Sequence, residues 1–281
     1  MNKKFVSSLC AGCLGAASLV YGSSAGAQAQ SEEQADGASI QRAAERFVSE
    51  KRTEHSRLET LMVARGRGNE LPQLRSLISK SQFAIPSLAG IDEETRRALT
   101  DRLIAEAAIR LAASNLTPDK VARYRNAGFN PLDAAISFTR GTPNAIELAT
   151  LSSRVLVGKV TGVEETAAPT SMVTFEASDM LLGGGETVFT FEQGGSPGAP
   201  LHSTIMRAGE GRYLLFLTDP EGNLRRNSQR QATVSTNLVT PFSERDGKFY
   251  PLALSTLDPI DLGELRAQIA PLAQLKKPDN K

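Results

Sequence analysis

The chain has 281 residues, with 32 basic against 31 acidic and a formal charge of +1. Its basic residues nowhere gather into a long block, and Trp is absent with aromatics at 5%. Neither the clustered charge that tracks a phosphate backbone nor the stacking platform for single strands is therefore in hand, which argues against a nucleic-acid partner. Apolar residues at 40% allow a sizeable core built on Leu, Ile, Val and Ala, and the length admits two domains.

Residues 1–29 read as a secretory signal peptide. Lys3 and Lys4 supply the positive start, Phe5 to Val20 is a small and apolar run, and Ala25-Gly-Ala27 and Ala27-Gln-Ala29 offer small-x-small cleavage sites. As a helix that run reaches roughly 24 Å against a hydrocarbon core of about 30 Å, so cleavage is favoured over a membrane anchor. Localisation is then periplasmic or secreted, with no membrane span after cleavage, and loss of Lys3 and Lys4 takes the charge from +1 to −1. Leu9-Cys10-Ala11-Gly12-Cys13 has the outline of a lipoprotein signal, but Cys10 stands where an aliphatic residue is expected; lipid anchoring is the minority reading. Cys10 and Cys13 are the chain's only cysteines. The mature chain, beginning at Gln30, therefore has no disulfide, thiol nucleophile or thiolate metal site.

Residues 30–39 are polar and unpatterned, a disordered lead-in. Residues 40–148 read as a helical domain, a bundle or array of four to six helices. Ile40 to Ala64 carries apolar residues at helical spacing with a polar middle at Lys51, Glu54 and His55. Leu71 to Phe83 is a shorter helix. Asp92-Glu93-Glu94 opens the clearest one, with Leu99, Leu103, Ile104, Ala107, Ala108 and Leu111 on one face. Thr117-Pro118 predicts a cap with Pro at the first helical position, and Gly128 the stop; Asn130-Pro131 repeats the device through Phe138. Gly141 and Pro143 close this half.

Residues 150–275 read as a β domain with a C-terminal helix, followed by a polar tail, 276–281. Strands are predicted at Arg154–Val163, Met172–Leu182 and Thr187–Glu192, then at Arg212–Thr218, whose continuous apolar run predicts burial on both faces. Ala232–Val239 is the next strand, and Asp246-Gly247 turns the chain into Lys248–Leu252. Leu262, Leu265, Ile269 and Leu272 mark a helix capped by Asp261 and bent or ended near Pro271. The fold class is α+β: an N-terminal helical bundle or array, then a small antiparallel β-barrel or sandwich with a C-terminal helix.

Three stretches carry a resemblance: Val155-Leu-Val-Gly-Lys-Val160, Thr174-Phe-Glu-Ala-Ser-Asp-Met-Leu-Leu-Gly183 and Gly209-Glu-Gly-Arg-Tyr-Leu-Leu-Phe216. Their order over about residues 150–255 resembles the netrin-like and metalloproteinase-inhibitor (TIMP-like) superfamily and similar exported bacterial domains. The resemblance implies an OB-type barrel and, for the inhibitors, protease inhibition. Those inhibitors are disulfide-rich and present an N-terminal cysteine to zinc, which this mature chain cannot do, so the fold carries over more readily than the inhibition. From the residues themselves, Gly158 and Gly183 relieve crowding at bends.

Candidate chemistry is sparse. His55 and His202 are the two histidines, too few for a His-based zinc site, and His55 with Glu59 fits a helical surface pair. Ser203 beside His202 is the material for a hydrolase, the least favoured reading, since no Gly-x-Ser-x-Gly elbow is present. The Gly runs at 183–185 and 194–195 lack the helix and Lys that a phosphate cradle needs. Asp258, Asp261 and Glu264 fit a helix cap better than a calcium loop. No cofactor or metal is called for. The loop from Gln193 to Gly211 is long enough to suggest a function; Leu201, His202, Ile205 and Met206 are its candidate binding residues. The expected function is a non-catalytic, exported protein-binding module of the bacterial envelope. A protease inhibitor acting through this loop or the barrel rim is the alternative.

Overall fold

The computed structural model describes residues 41–42, 44–46, 49, 60, 63, 68–81, 91–140, 142–165, 170–194, 206–218, 225–226, 232–234, 239–252 and 257–276. The predicted leader, the lead-in, most of the helix from Ile40 and the last five residues of the tail lie outside them. Two compact units emerge, Met1–Ala112 with Ala135–Thr142, and Ala113–Ala134 with Pro143–Lys281. Residues 113–134 and 143–149, which sequence reading assigned to the helical domain, thus group with the sheet.

In the first unit the described residues between Gln41 and Val63 are helical. Helix α1 (Glu70–Lys80) buries Leu71, Leu74 and Ile78, one face at helical spacing. Helix α2 (Glu93–Ala113) starts where the acidic run predicted. Asp92 Oδ1 accepts the Thr95 amide at 2.7 Å, a bond that pulls its carboxyl below the ordinary value. Leu99, Leu103, Ala107, Ala108 and Leu111 are buried, while Ile104 is half-buried. Arg110 stacks over Phe138 at 3.9 Å from the ring centre.

Helix α3 (Pro118–Asn126) has Thr117 as its cap, Oγ1 accepting from the Lys120 amide, and Pro118 opens it. Helix α4 is Pro131–Thr139. Helix α5 (Ala145–Leu151) escaped sequence reading. Its signal was present: Asn144 and Glu147 form a reciprocal capping box, with Asn144 Oδ1 accepting at 2.9 Å and Glu147 Oε2 accepting at 2.8 Å.

Nine strands follow: β1 (Arg154–Glu165), β2 (Thr170–Leu182), β3 (Val188–Gly194), β4 (Tyr213–Leu217), β5 (Arg225–Arg226), β6 (Ala232–Val234), β7 (Val239–Arg245), β8 (Lys248–Pro251) and β9 (Ile260–Asp261). They form one sheet in the order β5-β6-β3-β2-β1-β4-β7-β8-β9. Every ladder is antiparallel except the parallel one between β3 and β6. The expected closed antiparallel barrel or sandwich is therefore corrected to an open mixed sheet. Its ends are the two-residue strands β5 and β9, and no ladder joins them among the described residues. The predicted strand Ala232–Val239 is two strands, β6 beside β3 and β7 beside β4, with 235–238 between them.

Long strand β1 is shared. It pairs with β2 along nearly its whole length, but with β4 only from Arg154 to Gly158. Three register shifts interrupt the β1–β2 ladder, one of them between Val157 and Gly158. A Cβ at Gly158 would overlap the Glu176 carbonyl oxygen and lie 2.7 Å from Ala177 Cα. Only glycine lets the two backbones approach this closely. Gly183, at φ +80°, is likewise pressed on Ser153 and Arg154.

Leu156, Phe175, Phe189, Phe191, Tyr213 and Leu215 pack into a core that draws on β1 to β4, with Phe175 and Phe189 at 5.5 Å between ring centres. All five residues of β4 are buried, as its apolar run predicted. Pro241 sits inside β7, opposite Leu215. Its carbonyl accepts from the Leu252 amide at 3.0 Å. That residue's polar groups therefore point away from β4, and the missing N–H costs the β4 ladder nothing. Helix α6 (Leu262–Leu275) packs on β2 and α5, burying Leu265, Ile269 and Leu272. Asp261 Oδ1 caps it through the Glu264 amide at 3.0 Å, as read from sequence. Pro271 lies within the helix and does not end it.

Candidate functional site

Both ends of the long loop candidate come to one place. β3 delivers Gln193, whose side chain is buried because its position faces the inside of the sheet opposite Ser171 on β2. A buried amide needs partners for its oxygen and its nitrogen. Gln193 Nε2 donates to Ser171 Oγ and to the Met206 carbonyl, each at 3.1 Å, and Gln193 Oε1 accepts from the Met206 amide at 3.0 Å. The side-chain amide thus stands in for a neighbouring strand and satisfies both backbone groups of Met206. A residue further on, the Arg207 amide donates to Tyr213 Oη at 3.1 Å, and Tyr213 Oη donates to the Arg207 carbonyl at 3.4 Å. Burial pushes the Tyr213 phenol above its ordinary pKa, against the pull of that backbone bond.

Of the four predicted binding residues, Leu201, His202 and Ile205 lie outside the described residues, as do Ser203 and His55. Met206 is 2% exposed and belongs to the β-sheet core. Its role in the fold is to anchor the loop, and its apolar side chain is what holds the loop's return to the sheet.

After Met206 the chain is exposed from Arg207 to Arg212. Gly209 and Gly211 take positive φ values of +79° and +68°, which glycine adopts without strain. Arg207 pairs with Glu210 at 3.4 Å, both half-exposed. Arg212 Nε donates to Glu244 Oε2 at 2.8 Å, and Arg212 Nη2 donates to the other oxygen, a two-point contact that holds the Glu244 carboxyl below its usual range. Chemically this arrangement is a fixture. A side-chain amide is no general base, and the Ser171 hydroxyl is engaged by it in the interior.

Asp261 and Glu264 are occupied with the start of α6, and among the described residues no group of three or more His, Cys, Asp or Glu is placed to hold a metal ion. No helix among the described residues is long and apolar enough to cross a membrane. Sequence reading missed Gln193 and Tyr213 as the loop's anchors. A glutamine at an inward-facing strand position, between Phe191 and the Gly-rich loop, was the available signal.

No family model matches the chain, and neither curated proteins nor solved structures yield a match.

Proposed function

We propose that this chain is an exported, non-catalytic protein-binding module of the bacterial envelope, and that residues 195–205 are its recognition loop. The observation that carries the reading is the double hydrogen bond between Gln193 and the Met206 backbone. It pins the departure and return of eleven residues to the same point on the sheet. A loop with fixed ends has less conformational freedom to lose when it meets a partner. The secretory leader and the scarcity of catalytic residue types support the same reading.

The finer architecture belongs to this proposal. β1 is divided between β2 and β4, β6 runs parallel to β3, and β7 runs antiparallel to β4 only four residues further along the chain. Taken as one bent strand, 232–245 would complete an OB-type barrel of the netrin-like and TIMP-like style. Protease inhibition is the second reading, favoured by the same tied loop, since a pre-shaped loop suits a protease cleft.

The test is a crosslinking pull-down from the cell envelope with tagged mature chain, read by mass spectrometry. The comparison variant replaces 195–205 alone with a short Gly-Ser link. Replacing 193–211 would remove Gln193 and Met206 and damage the core. One dominant partner that is lost with the loop is the expected result. A partner retained by the loopless variant overturns the assignment of the loop. Inhibition of a metallo- or serine protease panel, dependent on 195–205, would instead establish the second reading.

A further inference from the structure

The C-terminal end of α6 is fastened to the C-terminal end of α5 through backbone carbonyls. Lys276 Nζ donates to the carbonyl oxygens of Ala149 at 2.9 Å and Thr150 at 3.3 Å, and also to that of Ser152. These groups belong to the last turn and cap of α5, which a helix leaves short of partners. Nearby, Arg123 of α3 donates to the Leu275 carbonyl at 3.3 Å. Lys276 as a whole is half-buried, but its amine is enclosed by the three carbonyls.

No carboxylate bonds to that amine among the described residues. On α5, Glu147 caps the opposite end of the helix. On β2, Asp179 pairs with Arg266 of α6 itself; Asp261 of β9 caps the first turn of α6. Arg154 of β1 reaches the Glu186 carbonyl. A lysine enclosed without a counter-charge loses hydration as an ammonium, and neutral acceptors return only part of it.

We propose that Lys276 is a proton-sensitive clasp, which docks the last turn of α6 on α5 most firmly when its amine is neutral and loosens that turn when it takes up a proton. Burial lowers the Lys276 pKa to about 7 in the docked state, while a released lysine titrates near 10.4. The released state therefore binds the proton more tightly. As pH falls from about 10 to about 7 the balance moves toward release, by up to tenfold per pH unit, and it levels off below the docked value.

The test uses the full chain. Lysine side chains labelled with carbon-13 are titrated by NMR, and hydrogen-exchange protection of α6 is compared at pH 7 and pH 9 after correction for intrinsic exchange. One lysine titrating near pH 7, with protection of the last turn rising by up to about a hundredfold between these pH values, is expected. Lys276→Met should remove both the titration and the pH dependence. A lowest lysine midpoint near 10.4 overturns the proposal; the wild-type titration reads it even if the variant does not fold. An equal pH dependence of protection in Lys276→Met also overturns it.

Discussion

Gln193 and Met206 exchange two hydrogen bonds, side-chain amide to backbone, across the mouth of a loop whose other described groups are exposed. Gln193→Ala would leave the Met206 N–H and carbonyl buried without partners. Each such loss costs about 1–3 kcal/mol, so a fall in unfolding free energy of about 2–3 kcal/mol is expected by urea denaturation. Gln193→Glu should be nearly as damaging, because a carboxylate accepts from the Met206 amide but cannot donate to its carbonyl. A loss below about 0.5 kcal/mol would mean that the loop is not held by this residue.

Tyr213 supplies the second anchor through its hydroxyl. Tyr213→Phe keeps the ring in the core and deletes only the two contacts to Arg207. A loss of about 1 kcal/mol is expected, with faster hydrogen exchange at Arg207 as the local sign. Unchanged exchange there would show the bond to be dispensable.

Gly158→Ala tests the close approach of β1 and β2. The added methyl meets backbone on the β2 side as well as the Phe175 ring, so little can yield. Overpacking of this kind costs about 1–3 kcal/mol, and the upper end is expected from thermal or urea unfolding. Gly184→Ala is the control, since a Cβ there meets nothing within 4 Å. Equal effects of the two would remove the argument for a backbone contact.

Glu244 sets an acid dependence. Arg212 holds its carboxyl below the ordinary value, so its contribution to stability is present above the unfolded pKa of about 4.3 and is lost as pH falls through the lower folded value. The pair is partly exposed, with Arg212 at 44%, which keeps the contribution below about 1 kcal/mol. Arg212→Met should raise the Glu244 titration midpoint, read by carboxyl NMR, and flatten the acid limb of the stability curve. An unmoved midpoint would assign the shift to another cause.

Much of the local structure was legible because it is encoded by neighbours in the chain. Thr117-Pro118, Asn130-Pro131 and Asp261 mark helix starts through contacts only two to four residues long. The buried β4 was visible as an unbroken apolar run, and Gly158 and Gly183 as bends. Helix α5 was missed although Asn144 and Glu147 signal it, because seven residues show too little periodicity beside the Gly and Pro that precede them. Met206 was misplaced for a different reason. A methionine in a polar, Gly-rich stretch gives no local sign of which way it turns, and its burial depends on Gln193, thirteen residues away.

The sequence by itself determined the α+β composition, the helix caps, the buried central strand and the signs of export, since each rests on patterns within a dozen residues. Only the tertiary structure decided that β1 is shared by β2 and β4, that β6 follows β3 in parallel while β7 joins β4, and that the sheet stays open at β5 and β9. It alone placed Gln193 against Met206 and Lys276 against the end of α5. Those pairings join residues distant in the chain, and their energies come from burial and from hydrogen bonds that no local window contains.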